Sequence, residues 1–137
     1  MLFRSVDRPV LNPLVIGLLD ELETRRAKIT DRLIHRLEEG LVEEVEKLIA
    51  DGVPVAMLTF YGLEYKFVAS YLMNEIDYPT LKERLTIAIC QFAKRQMTFL
   101  RKMEKDGVKI EWLAADKELL TLKKEALEHI KDRFELK

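Results

Sequence analysis

After Pro13 the chain reads LVIGLL, apolar at consecutive positions and partly β-branched. Such a run suits a short strand near 14–18 buried on both faces better than a half-exposed hairpin strand, and a strand of that kind needs neighbours. One other segment qualifies. DGVKIEWL places Val108, Ile110 and Trp112 at alternate positions, which predicts a second short strand near 108–113 and its pairing with the first. Two strands make at best a marginal sheet in water. The chain must therefore build its stability on helices, and the strand pair points to a larger sheet to which it belongs.

Helical periodicity accounts for most of the remainder. Leu22, Ile29, Leu33 and Leu37, with Arg25, Arg26, Lys28, Arg32 and Arg36 between them, predict a helix to about Glu39 that Gly40 caps. LVEEVEKLIADG puts Leu41, Val45, Leu48 and Ile49 on one side, a shorter helix ending at Gly52, and Pro54 stops anything helical there. FYGLEYKFVASYLMNE resumes the pattern through Tyr61, Tyr65, Val68 and Leu72, with Gly62 at or near its start. Asp77 or Tyr78 caps a long helix that has Pro79 in its first turn and runs to about Lys105. From Asp116, Leu120, Leu127, Ile130 and Phe134 give a last amphipathic helix. The expected fold is mainly α, a bundle of about five helices with two short strands, in a single domain over 1–137.

With 23 basic and 24 acidic residues the net charge is −1, so any affinity for a polyanion has to come from a local patch. The single cysteine, Cys90, excludes an internal disulfide, and His35 and His129 make no cluster at metal-ligand spacing. Metal ligands are expected to be none, and a reducing, cytoplasmic setting fits. The opening MLFRSVDRPVLNPLVIGLLDELE is interrupted by Asn12 and Pro13 and closed by Asp20 and Glu21, so neither a membrane span nor a signal peptide is expected. Single residues read plainly: His35 as a surface or packing residue, Cys90 as a small buried hydrophobe, and the run Glu38, Glu39, Glu43, Glu44, Glu46 as a solvated face. Tyr61, Tyr65 and Tyr71 can stack on bases, although core packing is the commoner role of such rings.

Charge is concentrated in QFAKRQMTFLRK, Gln91 to Lys102, which has no acidic residue. On a helix Lys94, Arg95, Arg101, Lys102 and Lys105 fall within an arc of roughly 120°. The opposite arc holds Leu85, Ile89, Phe92, Ala93, Phe99, Leu100 and Met103, expected to face the core, with Gln96 among them and so expected to hold a specific buried hydrogen bond. The stripe has two readings. One is a solvated helix face, helped near a helix C-terminus by the macrodipole. The other is phosphate contact, with forked donors from arginine, point charges from lysine and a hydroxyl from Thr98.

At these residues the sequence resembles the tRNA dimethylallyltransferase, or tRNA isopentenyltransferase, family. FAKRQMTFLR is similar to its AKRQ-x-T-W-x-R helix, with Phe99 in place of Trp. KITDRLIHRLEEGLVEEVEKLI resembles RI-x-x-RV-x-x-M-x-x-x-GL-x-x-EV through Ile29, Arg32, Gly40, Leu41, Glu44 and Val45, with Lys28 for the first Arg and Arg36 where Met is usual. FYGLEYKFVASYL resembles x-x-GYKE…YL through Gly62, Tyr71 and Leu72, with Leu63 and Glu64 where Tyr and a basic residue are common. Ile89 and Cys90 replace a usual Thr-Arg, and KIEWL is similar to the family's closing strand. The resemblance covers Asn12 to about Leu113.

What the resemblance implies is a C-terminal portion of such an enzyme, its two strands belonging to the P-loop α/β core sheet of the full-length protein. It implies tRNA binding, at the anticodon stem-loop, by Lys94, Arg95, Gln96, Thr98 and Arg101, with Tyr61, Gly62 and Lys102 as secondary members. Dimethylallyl diphosphate and Mg²⁺ are implied for the full-length enzyme, on an N-terminal Gly-rich loop ending Gly-Lys-Ser/Thr. None of Gly17, Gly40, Gly52, Gly62 and Gly107 precedes Lys-Ser or Lys-Thr, so this chain is expected to bind no cofactor, to hold no catalytic residue and to depend on a missing N-terminal catalytic part. Two rivals remain open: a free-standing, non-catalytic helical module that binds RNA or protein, and a scaffold bundle whose apolar strand faces pack on a partner.

Overall fold

The computed structural model describes residues 10–134. The expectation about the opening segment therefore falls outside the described residues over positions 1–9. The element order is β1 (Val15–Leu19), α1 (Leu22–Glu38), α2 (Leu41–Ala50), α3 (Val55–Leu58), α4 (Leu63–Leu72), α5 (Tyr78–Lys105), β2 (Ile110–Ala114) and α6 (Leu119–Phe134). The molecule is mainly α with two short strands, as the periodicity implies. Two compact units divide it: Glu21–Arg101, and a unit in which the segment ending at Asp20 joins the segment beginning at Lys102.

The Glu21–Arg101 unit is built on apolar helix faces. Leu33 and Leu37 from α1, Leu41 and Val45 from α2, Leu58 from α3, Val68 and Ala69 from α4, and Leu81 and Leu85 from α5 form one buried cluster. Burying each such leucine contributes about 1.5–3 kcal/mol. The sequence signals place the breaks well. Glu39 and Gly40 close α1 with N–H bonds to the carbonyls of His35 and Leu37. Asp77 Oδ1 accepts the Thr80 N–H at 2.9 Å and caps α5, and its hydrogen bonds from Thr80 hold the carboxyl below the usual range. Pro54 does not end helical structure, contrary to the reading above. It stands at the N-cap of α3, where its missing N–H costs nothing, and Leu58 follows as a core residue.

In the other unit β1 and β2 pair in parallel, Val15 with Ile110, Gly17 with Trp112 and Leu19 with Ala114. Parallel strands need a crossover, and α1 to α5 supply it. Ile110 and Leu113 are buried, and the Trp112 indole N–H donates to Glu104 Oε2 at 2.7 Å. The expected burial of β1 on both faces does not hold within this chain. Leu18 is 55% exposed and Leu19 44%, because two strands and one helix cannot cover both faces. α6 starts at Leu119, three residues after the expected Asp116, and none of its described residues is buried. Polar contacts hold it: His129 Nδ1 lies 3.7 Å from Glu111 Oε2, and Arg133 Nη2 donates to the Pro13 carbonyl at 3.4 Å. Among the described residues no helix is long and apolar enough to cross a membrane.

Candidate nucleic-acid interface

α5 carries Lys94, Arg95, Gln96, Thr98 and Arg101, and all five side chains are exposed. Glu83 and Glu104 are the acids nearest to this segment in the helix, so about six turns separate its carboxylates. Among the described residues Lys94, Arg95 and Arg101 enter no ion pair. Thr98 Oγ1 donates to the Lys94 carbonyl at 3.0 Å, which orients the hydroxyl and leaves its lone pairs facing outward. Lys102 is exposed as well and belongs to the other unit.

Two expectations about this helix need correction. Gln96 is exposed and its side chain makes no hydrogen bond among the described residues, and Phe92 and Phe99 are 48% and 63% exposed. Leu81 and Leu85 are fully buried, Ile89, Ala93, Leu100 and Met103 are half-buried, and Phe92 and Phe99 at the edge of the arc open to solvent. Its members share a face of the helix, but the core beneath that face ends. The outcome is an exposed stripe of cations flanked by two open aromatic rings, Phe92 and Phe99, on the next arc of the helix.

Tyr61 and Gly62 lie elsewhere in the same unit, where α1, the α3–α4 loop and α5 frame a groove of about 590 Å³. Ile29, Leu33, Ile89 and Phe92 give it apolar walls, and Arg32, Arg36 and Glu64 its polar groups. Gly62 sits at φ 122°, ψ 172°, a conformation open only to glycine, and this sharp corner starts α4 and leaves the Tyr61 ring 59% exposed. Tyr61 meets Tyr65 edge-on with ring centroids 6.4 Å apart. Arg95, Gln96, Thr98 and Arg101 do not line this groove; Phe92, two residues before Lys94, is its link to the basic segment. Sequence reasoning missed Arg32 and Phe92 as groove residues, and the signal available was their common face with Ile29 and Ile89. His35 is a surface residue, its Nε2 2.9 Å from Glu39 Oε1, and Cys90 is half-buried.

The five glycines precede Leu or Val, and Gly17 lies inside β1, so no phosphate cradle is built from them. No group of three or more His, Cys, Asp or Glu side chains able to hold a metal occurs among the described residues. These glycines and the described carboxylates do not form a site that fits a diphosphate or Mg²⁺.

Comparison with known proteins decides the kinship. The model of the IPP transferase family matches residues 4–103. The chain belongs to that family. Over 111 residues it is 49% identical to tRNA dimethylallyltransferase 2 of Porphyromonas gingivalis, covering 81% of this chain and 37% of the relative. It is 46% identical over 108 residues to tRNA dimethylallyltransferase 1 of Geotalea uraniireducens, covering 79% and 36%. The fold agrees with the crystal structure of the full-length tRNA isopentenylpyrophosphate transferase of Bacillus halodurans at a TM-score of 0.77 and 25% identity, over 90% of this chain and 40% of that one. For the tRNA Δ2-isopentenylpyrophosphate transferase of Staphylococcus epidermidis the values are 0.71 and 27%, over 88% and 38%. The chain thus spans well under half the length of the family members it matches, and the exposed face of α5 lies inside the segment that the family model covers.

Proposed function

We propose that this chain is the C-terminal part of a tRNA dimethylallyltransferase and that the exposed face of α5 binds the anticodon stem-loop of tRNA. The whole protein, cytoplasmic on this reading, moves a dimethylallyl group from dimethylallyl diphosphate to N6 of the adenosine 3′ to the anticodon. A C–N bond forms at the allylic carbon, the C–O bond to diphosphate breaks, and the amine gives up a proton. Mg²⁺ and the diphosphate belong to an N-terminal phosphate-binding part, and this chain contributes RNA contacts and no catalytic group.

One observation carries the reading: Lys94, Arg95 and Arg101 are exposed and unpaired among the described residues, on a helix segment without carboxylates, inside the family match. A cation with no carboxylate partner keeps its donors for phosphate oxygens. Phe99, 63% exposed on the arc next to Arg95, offers a ring to a base at the edge of the stripe.

The test is a chimera in which this chain replaces the matching segment of the Porphyromonas gingivalis relative. Its affinity for an anticodon stem-loop RNA is measured across salt concentrations. Lys94→Ala/Arg95→Ala/Arg101→Ala lowers the slope of log K against log salt by about 2–3 units, one contact each. Stability stays within about 0.5 kcal/mol, because isolated surface charges contribute little to folding. Thr98→Val keeps the slope and weakens binding. An unchanged slope and affinity in the triple variant overturn the proposal.

A further inference from the structure

A second groove in the Glu21–Arg101 unit, about 480 Å³ in volume, lies between α1 and α5. Arg25 and Arg26 of α1 and Lys94 of α5 line it, with Thr30, Cys90 and Gln91, and no carboxylate is among its lining residues. Arg25 and Arg26 enter no ion pair among the described residues. Three cations therefore face one cleft of a protein whose net charge is −1. Confining like charges without counter-ions is unfavourable unless an anion enters, so the concentration of charge marks the cleft for an anionic ligand. Thr30 Oγ1 donates to the Arg26 carbonyl at 2.9 Å, which leaves the Arg26 side chain as the part of that residue available to a ligand.

We infer that this cleft is a second phosphate track, which takes the RNA backbone after it leaves the α5 face. Lys94 lines the cleft and also belongs to that face, so one strand passes from Arg95 and Arg101 over Lys94 to Arg25 and Arg26. The cleft is open, with Leu22, Ile87 and the aliphatic stems of its cations as an apolar floor and the charged heads of Arg25, Arg26 and Lys94 as its polar groups, and those cationic heads are the donors a phosphodiester backbone takes. The inference rests on the RNA-binding reading of α5, and its test separates the two.

In the chimera above, Arg25→Ala/Arg26→Ala lowers the salt slope for anticodon stem-loop RNA by about 1.4–1.8 units, so its affinity relative to the parent changes about tenfold between 50 and 200 mM salt. Arg25→Lys/Arg26→Lys, which keeps the charges, restores the slope and shows that the Ala variant is not merely misfolded. Cys90 supplies a readout independent of any variant: RNA slows its alkylation, followed by peptide mapping, whereas poly-glutamate at equal charge does not. A double variant with the parental slope, beside a triple α5 variant with a lowered one, overturns the second track and leaves the α5 reading intact. Parental slopes in both overturn both. Protection of Cys90 by poly-glutamate and not by RNA overturns the RNA track and assigns the cleft to an acidic polypeptide.

Discussion

Arg36 Nη2 lies 3.3 Å from Glu44 Oε2 and 3.3 Å from Glu64 Oε2, so one guanidinium joins α1 to α2 and α4. Burial lowers its pKa, but the hydrogen bonds and charges of Glu64 and Glu44 outweigh that and raise it. Arg36 and Glu64 are two of the positions at which the sequence departs from the family pattern it resembles, and here the two departures meet. With the side chains 34% and 26% exposed, solvent screening limits the pair to about 1 kcal/mol. Tyr65 completes the network, donating to Glu44 Oε1 at 2.8 Å, and this bond, with burial and the carboxylate charge, raises the phenol pKa above its ordinary 10.0. A raised folded-state pKa contributes stability that is fully present below the unfolded value and is lost as pH rises through the folded one. The urea midpoint of the parent should therefore fall above about pH 10 more steeply than that of Tyr65→Phe, and parallel curves would refute this. Gln96 gives the complementary case. Periodicity shows which side chains share a helix face, but it does not say where the partner beneath that face stops. Gln96→Ala should leave stability within about 0.5 kcal/mol, whereas a loss of about 1–3 kcal/mol would mean that its amide is buried and bonded.

Among the elements, the strand pair has the tightest steric constraint. A Cβ on Gly17 would lie 2.6 Å from Trp112 Cζ3 and 2.7 Å from Cε3, with Ile110 Cγ2 at 3.1 Å. The Trp112 ring crosses the neighbouring strand where glycine leaves room, and its N–H bond to Glu104 fixes it there. Gly17→Ala should cost about 1–3 kcal/mol through overpacking. Trp112 is the one tryptophan, so its fluorescence reports the strand pair directly: the urea transition should move to lower concentration, with the resting emission shifted as the ring is displaced. An unmoved transition would show that the ring yields freely. Both strands and the long helices were legible, since alternation at Val108, Ile110 and Trp112 and punctuation at Gly40, Gly62 and Asp77 are local signals. α3 was not, because four residues after a proline are too few to display a helical period. The solvent-facing side of β1 was not legible either, since LVIGLL encodes a strand fit for two-sided burial and the neighbours in this chain cover only part of it.

At the scale of the whole molecule, charge and length both argue for a part that works with something more. A net charge of −1 draws no polyanion by itself, so on the proposed reading the cations of α5 and of the α1–α5 cleft act by position. The chain spans 37% of its Porphyromonas gingivalis relative and 40% of the Bacillus halodurans structure. Its glycines stand singly before Leu or Val, where a phosphate loop needs several backbone N–H groups turned toward one anion ahead of a Lys-Ser or Lys-Thr. Binding RNA does nothing to the allylic C–O bond: without groups that neutralise the departing diphosphate, the barrier keeps the electrostatic cost that such groups remove in enzymes. The purified 137-residue chain, given dimethylallyl diphosphate, Mg²⁺ and an anticodon stem-loop, should therefore form no prenylated adenosine, while the chimera with the phosphate-binding part of the relative should form it. Mass spectrometry of the digested RNA reads the result. Product from the chain alone would mean that a diphosphate site exists among these residues, and product from neither protein would mean that the tRNA-directed role does not extend to this chain.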